Sequence, residues 1–376
     1  MEYIDRSRTR PALMRTGVGI VGCGNVFGRY VTGLARYGGI ELIGCADVSP
    51  ERAHASAQSA GIAFFERVAD LLEDPRISIV VNLTPPNAHF DVGMAVLRAG
   101  KHLYSEKPLA LTLQDSAALL GYARDRGLLV GASPDTFLGA AAQTARATID
   151  SGTIGRPIGA TAFLRYARVE TWHPDPTFLF QPGGGPLLDM GPYYLTALVN
   201  CLGPVESVAG MTHRGNAQRV ITSPRRRIAT IDVNIDTHAA AVLRFACGAV
   251  GLLQMSFDVW NSQLPFMEIY GTQGTLALPD PNGFDGTVSL RRNTDGEWQT
   301  LVAAADGHHR AAQLMRGPGV ADLASALQGA EHRANGAVAH HVLEALLAVE
   351  QSSRERTVVA MRTGCDRPAP LATAQA

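Results

Sequence analysis

Between Gly17 and about Gly131, short apolar runs alternate with stretches whose apolar positions recur at helical spacing. The runs VGIVG, IELIGCAD, ISIVVNLT, KHLYS and GLLVGA read as strands, and the stretches 27–37, 51–60, 88–99 and 113–125 read as the helices between them. Strands and helices in strict alternation require parallel strands joined by right-handed crossovers. The pattern therefore predicts a doubly wound α/β domain of the Rossmann type over residues 16–135. Ligands on such sheets bind beyond the carboxyl ends of the strands, so the residues closing each run are the ones to inspect.

The pattern changes after Asp135. A helix over 140–151 is followed by longer period-2 segments, PIGATAFLRYARVE, PVESVAGMTHR, THAAAVLRFACGAVGLLQMSFDVW and LPFMEIYGTQGTLAL. Cys247-Gly248 divides the third in the manner of a hairpin turn, and sequential strands of this kind favour antiparallel pairing. Residues 136–370 are thus expected to form an α+β domain with a predominantly antiparallel sheet. A late helix over 338–350 carries an apolar face that should pack back on the body. Residues 1–15 read as an arm, and the terminal LATAQA as a loose tail.

Length and composition narrow the classes. A chain of 376 residues exceeds one ordinary core, and 46% hydrophobic against 18% charged residues supplies apolar area for two ordered domains. Lys and Arg number 33 against 34 acidic residues, a formal net charge of -1, so no bulk field draws a nucleic acid. The five cysteines form neither a C-x-x-C pair nor zinc-ligand spacing, which argues against a metal site and a disulfide framework. No apolar run matches a secretory signal core or a membrane span, and the expected location is cytoplasmic.

The first predicted strand runs into Gly22-Cys23-Gly24-Asn25-Val26-Phe27-Gly28. Glycines here allow a tight turn and let backbone N–H groups at a helix N-terminus reach a pyrophosphate, although Phe27 stands where the stricter G-x-G-x-x-G spacing has its third glycine. Gly22, Gly24, Asn25 and Val26 are therefore candidate cofactor contacts. Asp47 closes the second strand, where a carboxylate accepts hydrogen bonds from the adenosine ribose and repels a 2′-phosphate. This favours NAD, while the neighbouring Arg52 keeps NADP open.

Three further blocks, Thr84-Pro85-Pro86-Asn87-Ala88-His89, Ala99-Gly100-Lys101-His102 and Glu106-Lys107-Pro108-Leu109-Ala110, together resemble the glucose-fructose oxidoreductase / inositol dehydrogenase / rhizopine-catabolism (Gfo/Idh/MocA) family. Gly183-Gly184-Gly185-Pro186-Leu187-Leu188-Asp189-Met190-Gly191-Pro192-Tyr193 is similar to that family's G-G-G-x-x-x-D-x-G-x-H pattern except at the last position. The resemblance spans nearly the whole chain. It implies a Rossmann domain, an open-faced sheet domain and an active site between them, and it assigns Thr84, Pro85, Asn87, His89, Glu106 and Lys107 to the cofactor site.

The resemblance also implies the chemistry: hydride transfer between the nicotinamide and a secondary hydroxyl carbon of a sugar, glycoside or cyclitol. Lys107 then sits between nicotinamide ribose and reacting hydroxyl, where an ammonium stabilises alkoxide charge. Asp189 is expected to open a helix with Tyr193 four residues on and on the same face. Tyrosine ionises near pH 10 against about 6.5 for histidine, so Tyr193 needs a nearby cation such as Lys107 to serve as proton acceptor. Lys107 itself and His173 are rivals for that role. Arg165, Trp172 and His173 join Lys107, Asp189 and Tyr193 as expected substrate contacts, an aromatic face beside polar groups suiting a pyranose. Relatives that act as NAD-dependent glycosidases through transient oxidation, or as non-catalytic sensors, leave two alternatives open. A homodimer or homotetramer built through the free sheet face is also implied.

Overall fold

The computed structural model of the chain describes residues 15–167, 169–172, 175–223, 229–301 and 316–371. Strands β1 (Thr16–Val21), β2 (Ile40–Ala46), β3 (Ala63–Phe64), β4 (Ile79–Asn82), β5 (His102–Ser105) and β6 (Val130–Ala132) form one parallel sheet in the order β3-β2-β1-β4-β5-β6. Helices α1 (Phe27–Leu34), α2 (Pro50–Ala60), α3 (Val68–Glu73), α4 (His89–Arg98) and α5 (Leu113–Arg124) supply the crossovers. The strands are apolar throughout because both faces are covered: Val18 and Ile20 enter the core beneath α1, while Val21 and Val80 enter the one beneath α4. Strand order reverses between β1 and β4, so the cofactor crevice opens beyond their carboxyl ends. The first helix stops at Leu34 rather than Tyr37, since Gly38-Gly39 follow and Ile40 is already donating back to the Tyr37 carbonyl as β2 begins. The short β3 and α3 carried too few residues to register as elements in the sequence pattern.

Next along the chain come α6 (Ala140–Asp150), β7 (Pro157–Arg165), α7 (Gly185–Asp189), α8 (Gly191–Leu202), β8 (Val205–His213), β9 (Gln218–Ile221), β10 (Ala229–Asp232), β11 (His238–Phe245) and β12 (Val250–Ser256). After these follow β13 (Met267–Gly271), β14 (Gly274–Leu278), β15 (Val288–Arg292), β16 (Gln299–Leu301), α9 (Pro318–Ala326), α10 (Gly336–Glu355) and β17 (Val359–Ala360). Nine strands make one sheet in the order β16-β15-β14-β13-β7-β12-β11-β8-β17, antiparallel except where β7 runs parallel to β12. The hairpin at Cys247-Gly248 is present, with Gly248 at φ 86°. Strands β9 and β10 pair separately.

Alternation decides the faces of the large sheet. Leu243, Phe245, Leu253 and Met255 point into a core shared with α8 and α10, whereas Met211, Val242 and Leu252 stand exposed on the other side. All twelve residues of α8 are buried, so it is a core helix rather than an amphipathic one. The late helix is longer than the predicted 338–350, because Asn335 caps its start by accepting the Val338 N–H at 3.0 Å and the polar QSSRE turn continues its far end. Helix α9 returns to the Rossmann core, where Val320 and Leu323 pack with Tyr30 and Tyr104.

Candidate active site

The turn after β1 explains its glycines. Gly22 sits at φ +100°, and a Cβ there would lie 2.7 Å from the Leu83 carbonyl carbon. At Gly24 a Cβ would meet nothing within 4 Å, so the outer surface of the turn is open in front of α1. Such a surface, with a helix N-terminus behind it, fits a pyrophosphate. Asp47 is buried, and its carboxylate accepts the Cys23 N–H at 2.7 Å and the Ser49 N–H at 2.9 Å. Arg52, largely exposed, reaches the same group at 3.4 Å. Asp47 thus ties the ends of β1 and β2 together at the mouth of the crevice. Asn25 is exposed beside Gly24, with Val26 half-buried behind it at the start of α1.

On the other side of the crevice, the loop after β4 is stiffened by Asn82, which accepts both the Thr84 N–H and the Thr84 hydroxyl, the latter at 2.7 Å. Pro85 and Asn87 are exposed on this loop. At His89, which the resemblance assigns to the cofactor site, one ring nitrogen lies 2.6 Å from the Pro108 carbonyl and the other 2.8 Å from that of Thr84, between the loop and the Lys107-Pro108 segment. Burial pushes its pKa down, which leaves the neutral ring one N–H to donate to one of the two carbonyls. Glu106 braces the same segment. One carboxylate oxygen accepts from Tyr30 at 2.8 Å and Ser133 at 3.3 Å, the other from the Lys107 N–H at 3.0 Å, so it supports Lys107 from behind.

Lys107 leaves the end of β5 and crosses to the second domain. Its Nζ donates to the Asp189 carboxylate at 2.7 Å and to the Asp189 carbonyl at 2.6 Å. The pair keeps some solvent access, with side-chain exposures of 15% and 26%. Burial alone would lower the Lys107 pKa, but the charges of Asp189, Tyr193 and Glu106 outweigh it and hold the group as an ammonium. Asp189 does not open the helix that carries Tyr193. It ends α7, and α8 starts at Gly191 because Pro192 lacks an N–H and is tolerated only in a first turn. The break turns the Asp189 carbonyl, as well as its carboxylate, toward Lys107.

Tyr193 lies in that first turn, its ring centroid 5.4 Å from Lys107 Nζ. Its hydroxyl oxygen accepts a hydrogen bond from Arg316 at 3.0 Å. The expectation that Lys107 makes this phenol acidic is only partly met: burial raises its pKa most, and Arg316 and then Lys107 oppose that rise without cancelling it.

Of the remaining expected contacts, Arg165 has partners of its own. Arg165 is held by Ser262 and by the Pro265 carbonyl at 3.1 Å, at the far end of β7. Trp172 is exposed on the loop after β7, and His173 lies outside the described residues. Conversely, Arg316, Tyr30, Ser133 and Asn282 build the site without having been anticipated. Only the R-G-P-G turn at 316–319, with proline starting a helix, marked that stretch in the sequence, and it marked a boundary rather than chemistry.

Comparison with known proteins bears on the family and the fold. A family model described as an oxidoreductase family with an NAD-binding Rossmann fold matches residues 16–133, and one described as a GFO/IDH/MocA C-terminal domain matches residues 142–277. The chain belongs to the GFO/IDH/MocA oxidoreductase family. This GFO/IDH/MocA protein is an oxidoreductase with an NAD-binding Rossmann domain and the two-domain fold expected from its motifs. It is 28% identical over 296 residues to a 1,5-anhydro-D-fructose reductase of Ensifer adhaerens, covering 77% of this chain and 83% of that protein. It is also 26% identical over 242 residues to a scyllo-inositol 2-dehydrogenase (NAD(+)) of Bacillus subtilis, covering 64% of this chain and 66% of the relative. Among solved structures, a levoglucosan dehydrogenase in complex with NADH superposes with a TM-score of 0.78 at 21% identity, covering 93% of this chain and all (100%) of that one. An NAD binding oxidoreductase from Klebsiella pneumoniae gives 0.79 at 23% identity, covering 92% and 99%. At these identities the structures demonstrate the shared fold.

Proposed function

We propose that this oxidoreductase transfers a hydride between NAD and a secondary hydroxyl carbon of a sugar or cyclitol. The reading is carried by the bridge from Lys107 to Asp189, which joins the end of a Rossmann strand to the sheet domain at the edge of the nucleotide crevice. NAD, when bound, supplies the hydride acceptor or donor. The open turn over Gly24 and the Asp47 carboxylate would hold its pyrophosphate and ribose ends. Lys107, kept as an ammonium, stabilises the developing alkoxide and is thereby unsuited to accept the proton itself. Tyr193 takes the hydroxyl proton during oxidation and returns it during reduction, and Asp189 orients Lys107. Named relatives that reduce anhydrofructose or oxidise scyllo-inositol support a polyhydroxylated substrate.

The test is a screen of 1,5-anhydro-D-fructose, levoglucosan, scyllo-inositol and myo-inositol for absorbance change at the nicotinamide band, with NAD(H) and NADP(H), against a Lys107→Ala control. Turnover that Lys107→Ala abolishes is expected, with NAD preferred. Turnover unaffected in Lys107→Ala would sink the assignment. Release of aglycone from nitrophenyl glycosides without net NADH would replace it with a glycosidase reading.

We also propose a cytoplasmic homo-oligomer assembled through the outer face of the large sheet. Met211 is 78% exposed there, beside exposed Val242 and Leu252, an apolar patch that a second copy would cover. Light scattering should give a dimer or tetramer, and Val242→Glu should dissociate it.

A further inference from the structure

Arg316 is a second cation beside Tyr193, in addition to Lys107. Its position is built with care. The Arg316 N–H donates to the Arg29 carbonyl in α1, and Gly33 lets α1 approach so closely that a Cβ there would lie 1.8 Å from the Arg316 carbonyl oxygen. The next turn is held by Asp135, whose carboxylate accepts the Gly317 and Gly319 N–H groups at 3.2 and 2.9 Å. Out of this anchored backbone the guanidinium, on a residue only 7% exposed, donates to the Tyr193 hydroxyl at 3.0 Å and to Asn282 Oδ1 at 3.2 Å. It also lies over the Tyr193 and Phe284 rings.

We propose that Arg316 is a positioning residue for proton transfer, fixing the Tyr193 hydroxyl and stabilising its phenolate. The inference rests on the reading of Tyr193 as the proton acceptor. An arginine stays charged, so it can only donate, and the sole lone-pair acceptor it finds on tyrosine is the phenolic oxygen. The hydrogen bond therefore leaves the phenolic proton facing elsewhere, free to pass to a substrate oxygen during reduction. During oxidation the substrate's hydroxyl proton moves to the oxygen of Tyr193 in its phenolate form, which becomes the neutral phenol, and Arg316 keeps all its own protons. The guanidinium offsets part of the cost of an ionised phenol in a buried place. The other charges facing Tyr193 are Lys107, which works in the same direction, and Glu106 and Asp189, which work against it. Asp135 and Tyr30 face Arg316 from behind.

The experiment is a fluorine NMR titration of the full-length protein labelled with 3-fluorotyrosine, whose more acidic phenol brings ionisation into a tolerable pH range. Tyr193→Phe identifies the Tyr193 resonance by its loss. In Arg316→Gln the midpoint of that resonance should rise by about one pH unit or more, a tenfold weaker acid, with Arg316→Lys intermediate. NADH binding by fluorescence, unchanged in both, reports an intact fold. Should the Gln variant not fold, the Lys variant alone carries the test. A midpoint unmoved in the variants that fold would overturn the role of Arg316. Near-normal kcat in Tyr193→Phe would instead overturn the reading of Tyr193, whatever the titration gives.

Discussion

The two ends of the active site are assembled in opposite ways. At the cofactor end, Gly22, Gly24 and Asp47 follow two successive strands, and hydrogen bonds from the Cys23 N–H to Asp47 and from the Gly22 N–H to the Ala46 carbonyl close the arrangement. At the chemical end, Lys107, Asp189, Tyr193, Asn282 and Arg316 come from four separated segments, and the contacts among them span both domains. A local turn tolerates modest damage because its neighbours in sequence keep it in place. A cluster held by charge across a domain junction has no such reserve, since each lost partner leaves another charge uncompensated.

This difference predicts that changes at the chemical end reduce turnover while sparing NADH binding, and that changes at the cofactor end do the reverse. Lys107→Ala should have the largest effect, a fall in kcat of about 10³, because it removes the ammonium and strands Asp189. Tyr193→Phe should lower kcat by about 10², with NADH affinity by fluorescence unchanged. If Lys107→Ala instead weakened NADH binding as much as turnover, the division between the two ends would fail.

Gly22→Ala tests the other end. A side chain at φ +100° against the Leu83 carbonyl should cost about 1–3 kcal/mol, read as a lower Tm together with weaker NADH binding. Asp47→Ala should weaken NADH about tenfold, the scale of one hydrogen bond to a charged group, and NADPH less. Equal losses for both cofactors would mean that the carboxylate only braces the Cys23 turn. Arg52→Ala should change NADH affinity least, by less than about fivefold, as its contact with Asp47 is long and largely solvated.

The sequence alone determined most strands and helices of the Rossmann sheet and the hairpin of the second sheet. Alternating apolar runs specify parallel strands, a glycine at a left-handed position specifies its turn, and Cys247-Gly248 specifies a hairpin, because each depends on neighbours a few residues away. The motif around Lys107 and the pattern through Asp189 and Tyr193 named the central chemical residues. Only the tertiary structure decided how they work: that α7 ends at Asp189, that His89 and Glu106 brace the lysine loop, and that Arg165 bonds elsewhere. It alone brought Arg316 to Tyr193 across 123 residues. The reason is physical. Dihedral preference and periodicity act along the chain, whereas the energy of a buried charge depends on which groups have displaced water around it, and that is settled only when distant segments pack.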